Sequence, residues 1–137
     1  MKISFDSETI KIMSLFQTLT KANLKDCFAE NDSLVFVVLP GEMGRAIGKN
    51  ASNVRRISEM LKRKIKIVEF NENVIEFIKN LIHPLQLMNI EESEGIITLT
   101  AVDSKTRGML IGRAAENLRR LESQVKRYFP INEIKVT

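Results

Sequence analysis

One segment of eleven residues occurs twice in this chain, and this repeat constrains the fold more than any other feature. The stretch IGKNASNVRRI at Ile47–Ile57 returns 64 residues later as IGRAAENLRRL at Ile111–Leu121. Ile, Gly, Ala, Asn and a pair of arginines match at fixed offsets, and a basic residue follows the glycine both times. A repeat of this density predicts that the chain consists of two copies of one small structural unit.

Hydrophobic periodicity predicts the same order of elements in both halves: helix, strand, strand, helix, helix, strand. In the first half these elements cover 6–21, 24–29, 34–39, 42–47, 51–62 and 64–70. In the second half they cover 72–81, 85–92, 96–102, 105–111, 115–127 and 131–136. The sequence therefore predicts an α+β fold with two domains, 1–70 and 71–137, each a three-stranded sheet packed by helices. No Pro/Gly/Ser-rich linker lies near 70–73, so we expect the domains to dock rigidly.

Positive charge is concentrated in the repeated segments. The net charge is only +4, but residues 44–66 hold eight Lys/Arg and one acid, and residues 105–127 hold seven Lys/Arg and two acids. Two basic zones at equivalent places predict a polyanion-binding surface. The alternative interpretation is two solvated helix faces with no ligand.

The composition argues against several other classes of function. No apolar run reaches the roughly 20 residues of a membrane span, and residues 1–6 lack the apolar core of a signal peptide, so a cytoplasmic location is expected. The single cysteine, Cys27, precedes the apolar pair Phe28-Ala29 and is interpreted as a core residue. His83 has no cysteine or aspartate cluster near it in the sequence, so it is not expected to bind a metal ion. With no phosphate-binding loop, nucleophile elbow or metal-ligand spacing, the chain is not expected to be an enzyme or to use a cofactor or small-molecule substrate.

The repeated motif resembles the signature of the KH domain. Its spacing, Ile-Gly-x-x-small-x-x-apolar between two helices, is similar to the Ile-Gly-x-x-Gly loop of that family, and the element order resembles the type II KH fold. The resemblance implies a loop that clamps about four nucleotides of single-stranded RNA. Gly48 and Gly112 permit unusual backbone angles, the next helix offers free N–H groups to a phosphate, and Lys49 and Arg113 add charge.

The resemblance extends beyond the motif to the archaeal NusA-like transcription termination factors. A tandem of type II KH domains that contains Lys25-Asp26-Cys27, the segment Gly41–Lys49 and the segment Glu76–Leu81 is similar to that family over essentially the whole chain. The resemblance implies a role in transcription termination or elongation, with single-stranded RNA as partner and RNA polymerase as a further candidate partner.

The chain departs from the KH signature at the closing glycine of the loop, which is Ala51 in the first copy and Ala115 in the second. Because alanine favours helices, we expect both positions to begin a helix, with a slight gain in stability. We also expect the methyl group to hinder close approach of a sugar-phosphate. Ala114 offers no polar contact, so the second clamp is expected to be the weaker one.

The candidate RNA-binding residues lie in the two loops and on the helices beside them. They are Arg45, Gly48, Lys49, Asn50, Ala51, Asn53, Arg55, Arg56, Arg107, Gly112, Arg113, Ala114, Ala115, Asn117, Arg119 and Arg120. The arginine pairs either contact phosphates or pair locally, Arg55 with Glu59 and Arg119 with Glu122. Asn53 and Asn117 either tie the loop to the helix or reach RNA, and the sequence does not separate these roles.

Two functions follow from these observations. The first is a single-stranded RNA-binding transcription termination or elongation factor. The alternative is a scaffold that keeps the KH fold but binds RNA weakly or not at all, and that associates with RNA polymerase or the ribosome.

Overall fold

The computed structural model describes residues 5–137. Residues 1–4, which belong to the segment without a signal-peptide core, lie outside the described part. The described residues divide into two compact units, 5–71 (the first unit) and 72–137 (the second unit). Among the described residues, no helix is long and apolar enough to cross a membrane.

The first unit is a three-stranded sheet with three helices. Its elements are α1 (Ser7–Thr20), β1 (Leu24–Glu30), β2 (Ser33–Val38), α2 (Met43–Ile47), α3 (Ser52–Leu61) and β3 (Lys64–Glu69). The strand order is β1-β2-β3, with β1 antiparallel and β3 parallel to the central β2.

The second unit has the same elements in the same order. They are α4 (Val74–Ile82), β4 (Leu87–Ser93), β5 (Ile96–Ala101), α5 (Ser104–Ile111), α6 (Glu116–Lys126) and β6 (Glu133–Val136). The sheet order is β4-β5-β6, again with one antiparallel and one parallel pair. The mixed α+β class and the two three-stranded sheets predicted from the sequence are confirmed.

Each unit has a core built on its central strand. In the first unit, residues 34–38 of β2 are all buried, and the ring of Phe36 stacks on that of Phe16 from α1 at 4.3 Å between centroids. Cys27 is buried in this core, as the sequence predicted. In the second unit, Phe77 of α4 is fully buried and meets the ring of Tyr128 edge-on at 5.4 Å.

The repeated motif lies in the crossover that connects two parallel strands. Parallel neighbours cannot be joined by a tight turn, and the chain passes from β2 to β3 through α2 and α3. The chain passes from β5 to β6 through α5 and α6 in the same way. Each Gly-x-x-Ala loop therefore joins two helices whose far ends are both held by one sheet.

Several element boundaries differ from the sequence-based prediction. Helix α3 begins at Ser52 rather than 51, and α6 at Glu116 rather than 115, because the alanine before each helix has a left-handed backbone. The last strand, β6, begins at Glu133 rather than 131. Ile131 is buried without being part of the strand, so its burial mimics a strand signal.

Candidate nucleic-acid interface

The two loops have nearly the same backbone conformation. In the first loop, Gly48–Ala51, the glycine has φ +76°, and the last two residues have φ of +54° and +59°. In the second loop, Gly112–Ala115, the corresponding angles are +74°, +52° and +59°. Two successive left-handed residues are the pattern of a type I′ turn, in which Asn and Gly are favoured. Both copies therefore keep one turn geometry although their middle residues differ.

Alanine at the loop end is strained rather than helical, which corrects the expectation from the sequence. Ala51 and Ala115 immediately precede their helices in the left-handed region, with ψ of +27° and +24°. This region costs a residue with a Cβ roughly 1–2 kcal/mol. The expected gain in stability from alanine at these positions is therefore wrong, because it assumed a helical backbone.

An asparagine ties each loop to the helix that precedes it. The Nδ2 of Asn53 donates to the carbonyl oxygen of Arg45 at 2.9 Å, and the Nδ2 of Asn117 donates to that of Met109 at 2.8 Å. The acceptors lie in the last turns of α2 and α5, where carbonyl groups lack partners within the helix. Of the two roles left open by the sequence, the structure shows the tie.

The first unit presents three exposed cations at and after its loop. Lys49, Arg55 and Arg56 are exposed, and among residues 5–137 none of them forms an ion pair or a side-chain hydrogen bond. The local pair of Arg55 with Glu59 is therefore not formed. These three side chains are available to an external anion.

Arg45 is held in place by its neighbours. Its Nη1 lies 3.6 Å from Glu42 Oε2 and donates to the carbonyl oxygen of Lys21 at 3.4 Å. Glu42 is nearly buried and also accepts from the backbone and side-chain N–H groups of Asn23. The side chain of Arg45 is nevertheless 62% exposed, so it remains accessible beside the loop.

Among its candidate residues, the second unit also presents three exposed cations, but only one of them lies on the helix after its loop. Arg107, Arg113 and Arg119 are exposed and unpaired within the described residues, so the predicted local pair of Arg119 with Glu122 is not formed. Arg120, in contrast, points its guanidinium back along α6. It donates to Asn117 Oδ1 at 3.2 Å and to Glu116 Oε1 at 3.4 Å, and its side chain is only 23% exposed.

The helices that lead into the two loops are stabilised differently. Helix α5 has eight residues and is capped by Asp103, whose Oδ1 accepts from the Thr106 N–H at 2.7 Å. Hydrogen bonds from the backbone and side chain of Thr106 hold the pKa of Asp103 below its ordinary value. Helix α2 has five residues, and its N-cap residue, Glu42, forms no side-chain cap. The second loop thus follows a longer and better capped helix.

In each unit, all the candidate RNA-binding residues predicted from the sequence lie on one loop and its two flanking helices. Their contact with RNA stays a prediction. The sequence interpretation missed the acids that hold two of the arginines. Glu42 and Arg45 are spaced i,i+3, and Glu116 and Arg120 are spaced i,i+4. Both spacings favour helical ion pairs and could have identified these partners. No group of three potential metal-ligating side chains is found within residues 5–137.

The chain is similar to KH-domain proteins and to archaeal proteins of one name. The KH domain family model matches residues 11–83. A protein of Methanococcus vannielii named "Probable transcription termination protein NusA" is 31% identical over 99% of this chain and 80% of its own length. Its namesake from Halobacterium salinarum is 31% identical over the whole of both chains.

The fold has also been seen in a solved structure. The crystal structure of APE1850 superimposes with a TM-score of 0.75 at 24% identity, over 97% of this chain and 100% of the other. The chain belongs to the KH-domain family and, within it, to the archaeal NusA-like proteins.

Proposed function

We propose that this protein is a tandem of two type II KH domains, with a boundary at residues 70–71, that binds single-stranded RNA and acts in transcription termination or elongation. The observation that carries the proposal is the repeated site: one turn geometry, one glycine and one set of exposed cations, present in both units. A single Gly-x-x-Ala turn would be weak support, whereas two equivalent sites are consistent with a strand-binding protein.

The helix after each loop can receive a phosphate. The first four N–H groups of a helix have no partner within it, and neither Ala51 nor Ala115 provides a side-chain cap to α3 or α6. The first of these N–H groups, on Ser52 or Glu116, donates to the loop carbonyl of Lys49 or Arg113. The N–H groups that follow it and the positive end of the helix dipole favour an anion. Lys49 in the first loop and Arg113 in the second place a further positive charge beside that position.

The relatives support the cellular role. Proteins named "Probable transcription termination protein NusA" match over nearly the whole chain, and those from Methanococcus vannielii and Methanocaldococcus jannaschii are somewhat longer than this chain. We therefore extend to this protein a role in termination, with RNA polymerase as a second candidate partner. A cytoplasmic location is part of the same proposal.

The scaffold alternative has its best support in the second unit. There, Ala114 replaces a polar residue in the loop, and Arg120 is engaged by Glu116 and Asn117. A unit with these features has fewer groups left for phosphates, and it could instead bind a protein partner. The first unit has neither feature, which is why RNA binding is the preferred function.

A salt titration with labelled single-stranded RNA tests the proposal. If the strand neutralises its charge on about five cations, log affinity should fall with log salt at a slope near −3.5, since each phosphate contact of a single strand contributes about −0.7. Double-stranded RNA of equal length is the control and should bind more weakly, because a loop that clamps splayed nucleotides does not fit a paired helix. A chain that binds neither RNA would favour the scaffold, and one that binds both with equal affinity would contradict a loop that clamps splayed nucleotides.

A further inference from the structure

We propose that Asn53 and Asn117 are positioning residues that shape the Gly-x-x-Ala loops for RNA without touching it. This inference rests on the proposed function for its effect on RNA, but the loop geometry on which it depends is independent of any ligand. The sequence interpretation placed both asparagines among the RNA-binding residues, and the structure gives their side-chain amides another partner.

Each asparagine closes its loop by a bond that spans eight residues. The Nδ2 of Asn53 reaches the carbonyl oxygen of Arg45, and that of Asn117 reaches the carbonyl oxygen of Met109, at 2.9 and 2.8 Å. Each bond joins the first turn of the following helix to the last turn of the preceding one. The two helix ends that flank the loop are therefore held together independently of the residues in the loop.

The glycine and the asparagine of each unit form a matched pair. A Cβ on Gly48 would lie 2.9 Å from both Cγ and Nδ2 of Asn53, and a Cβ on Gly112 would lie 2.6 Å from Cγ of Asn117. Real side chains do not approach this closely. Glycine at this position thus has two reasons: its φ is positive, and the carboxamide of the asparagine occupies the space that a Cβ would need.

The turn needs such a tie because its own residues do not favour it. Three of the four residues with left-handed backbones after the two glycines are alanines: Ala51, Ala114 and Ala115. Strained backbone persists only where the surrounding structure holds it. The same hydrogen bond on the same offset in both units is the contact that does so.

Asn53→Ala and Asn117→Ala in the full chain test this role by two readouts. Without RNA, hydrogen exchange should become faster at the amides of Gly48 and Ala51, or of Gly112 and Ala115, which bond within the helix end and the turn. RNA affinity should fall by about three- to tenfold, as for loss of one hydrogen bond. The salt slope should not change, because no cation is removed. Asn89→Ala, which removes an exposed amide from β4, is the control.

A double-mutant cycle of melting temperatures tests the pairing of Gly48 with Asn53 without RNA. Gly48→Ala should lower the melting temperature less in the Asn53→Ala background than in the wild type, because the carboxamide no longer blocks the new methyl group. Unchanged loop exchange together with lost RNA affinity would overturn positioning and make the asparagine a direct contact. Equal effects of Gly48→Ala in both backgrounds would overturn the pairing. A wild type that binds no RNA would refute the proposed function alone, since the exchange and thermal readouts decide this inference separately.

Discussion

The two loops have the same backbone conformation but different side chains. The first loop places Lys49 and Asn50 before its alanine, whereas the second places Arg113 and Ala114 there. The left-handed residues are Asn50 and Ala51 in the first loop, and Ala114 and Ala115 in the second. Because asparagine tolerates this backbone better than alanine does, the second loop is the more strained one. The second loop also follows the longer, capped helix α5.

The same contrast holds for the helices after the loops. In α3, Arg55 and Arg56 are both exposed and unpaired within the described residues, whereas in α6 only Arg119 is in that state. Helix α3 thus has more unpaired charge than α6, and α6 has more internal bonding. The difference indicates that the repeated sequence preserves the backbone of the loop, while residues at a few positions decide which cations stay unpaired.

The largest effect on RNA binding is expected for the arginine pair of α3, and it should exceed the effect for the pair of α6. Arg55→Ala with Arg56→Ala should flatten the salt slope by about 1.4 and weaken RNA binding roughly tenfold to thirtyfold near 0.1 M salt, because two phosphate contacts are lost. Arg119→Ala with Arg120→Ala should flatten the slope by only about 0.7, because Arg120 already bonds to Glu116. Fluorescence anisotropy at four salt concentrations measures both slopes.

The control for net charge is Lys11→Ala with Lys135→Ala. Both lysines are exposed and lie on α1 and β6, away from the loop helices in sequence. This variant has the same net charge as either double arginine variant and should keep the wild-type slope. Equal losses for the two arginine pairs would remove the contrast between the units.

A smaller effect is expected on stability when the strained alanines become glycine. Ala51→Gly should raise the free energy of unfolding by about 0.5–1 kcal/mol, since the relief of left-handed strain exceeds the entropy that glycine adds to the unfolded chain. Ala114→Gly with Ala115→Gly should give about twice that gain. Urea unfolding followed by circular dichroism measures the first, and the fluorescence of Tyr128, the single tyrosine, follows the second unit.

Ala29→Gly is the matched control for these substitutions. Ala29 is exposed on β1 and is not among the residues with positive φ, so glycine there should destabilise the chain. If the loop variants also lose stability, the loop alanines are not strained and the original expectation of helical alanine would be restored.

The smallest effect concerns the cap of α5. Because the pKa of Asp103 is lowered in the folded state, its stabilisation is present above about pH 4 and is lost as pH falls through the lowered pKa. Asp103→Ala should therefore lower the melting temperature at pH 7, and the difference from wild type should shrink at lower pH. Asp103→Asn can still cap the helix without charge. The difference in melting temperature between Asp103→Asn and Asp103→Ala should therefore not depend on pH. A constant difference between Asp103→Ala and wild type at all pH values would rule out the ionised cap.

The sequence was sufficient for the architecture and insufficient for the loop. Periodicity located every helix and strand because the apolar residues of each element, such as Phe36 and Ile57, follow its geometry and are buried. The repeat itself located Gly48 and Gly112. Residue propensity failed at Ala51 and Ala115, because tertiary contacts hold a backbone that alanine does not prefer. Which of two adjacent arginines pairs with an acid also depends on side-chain direction, which the spacing of Arg119 and Arg120 does not reveal.

The position of each loop within a crossover has a consequence for how much its sequence can vary. Both helices that flank a loop are anchored to a single parallel strand pair, β2 with β3 or β5 with β6. The sheet fixes the far ends of these helices, and the asparagine bonds hold their near ends, so the fold accepts different middle residues in the loop. Lys49-Asn50 and Arg113-Ala114 are two different residue pairs at these equivalent positions. One framework therefore carries two sets of loop side chains on the same backbone conformation.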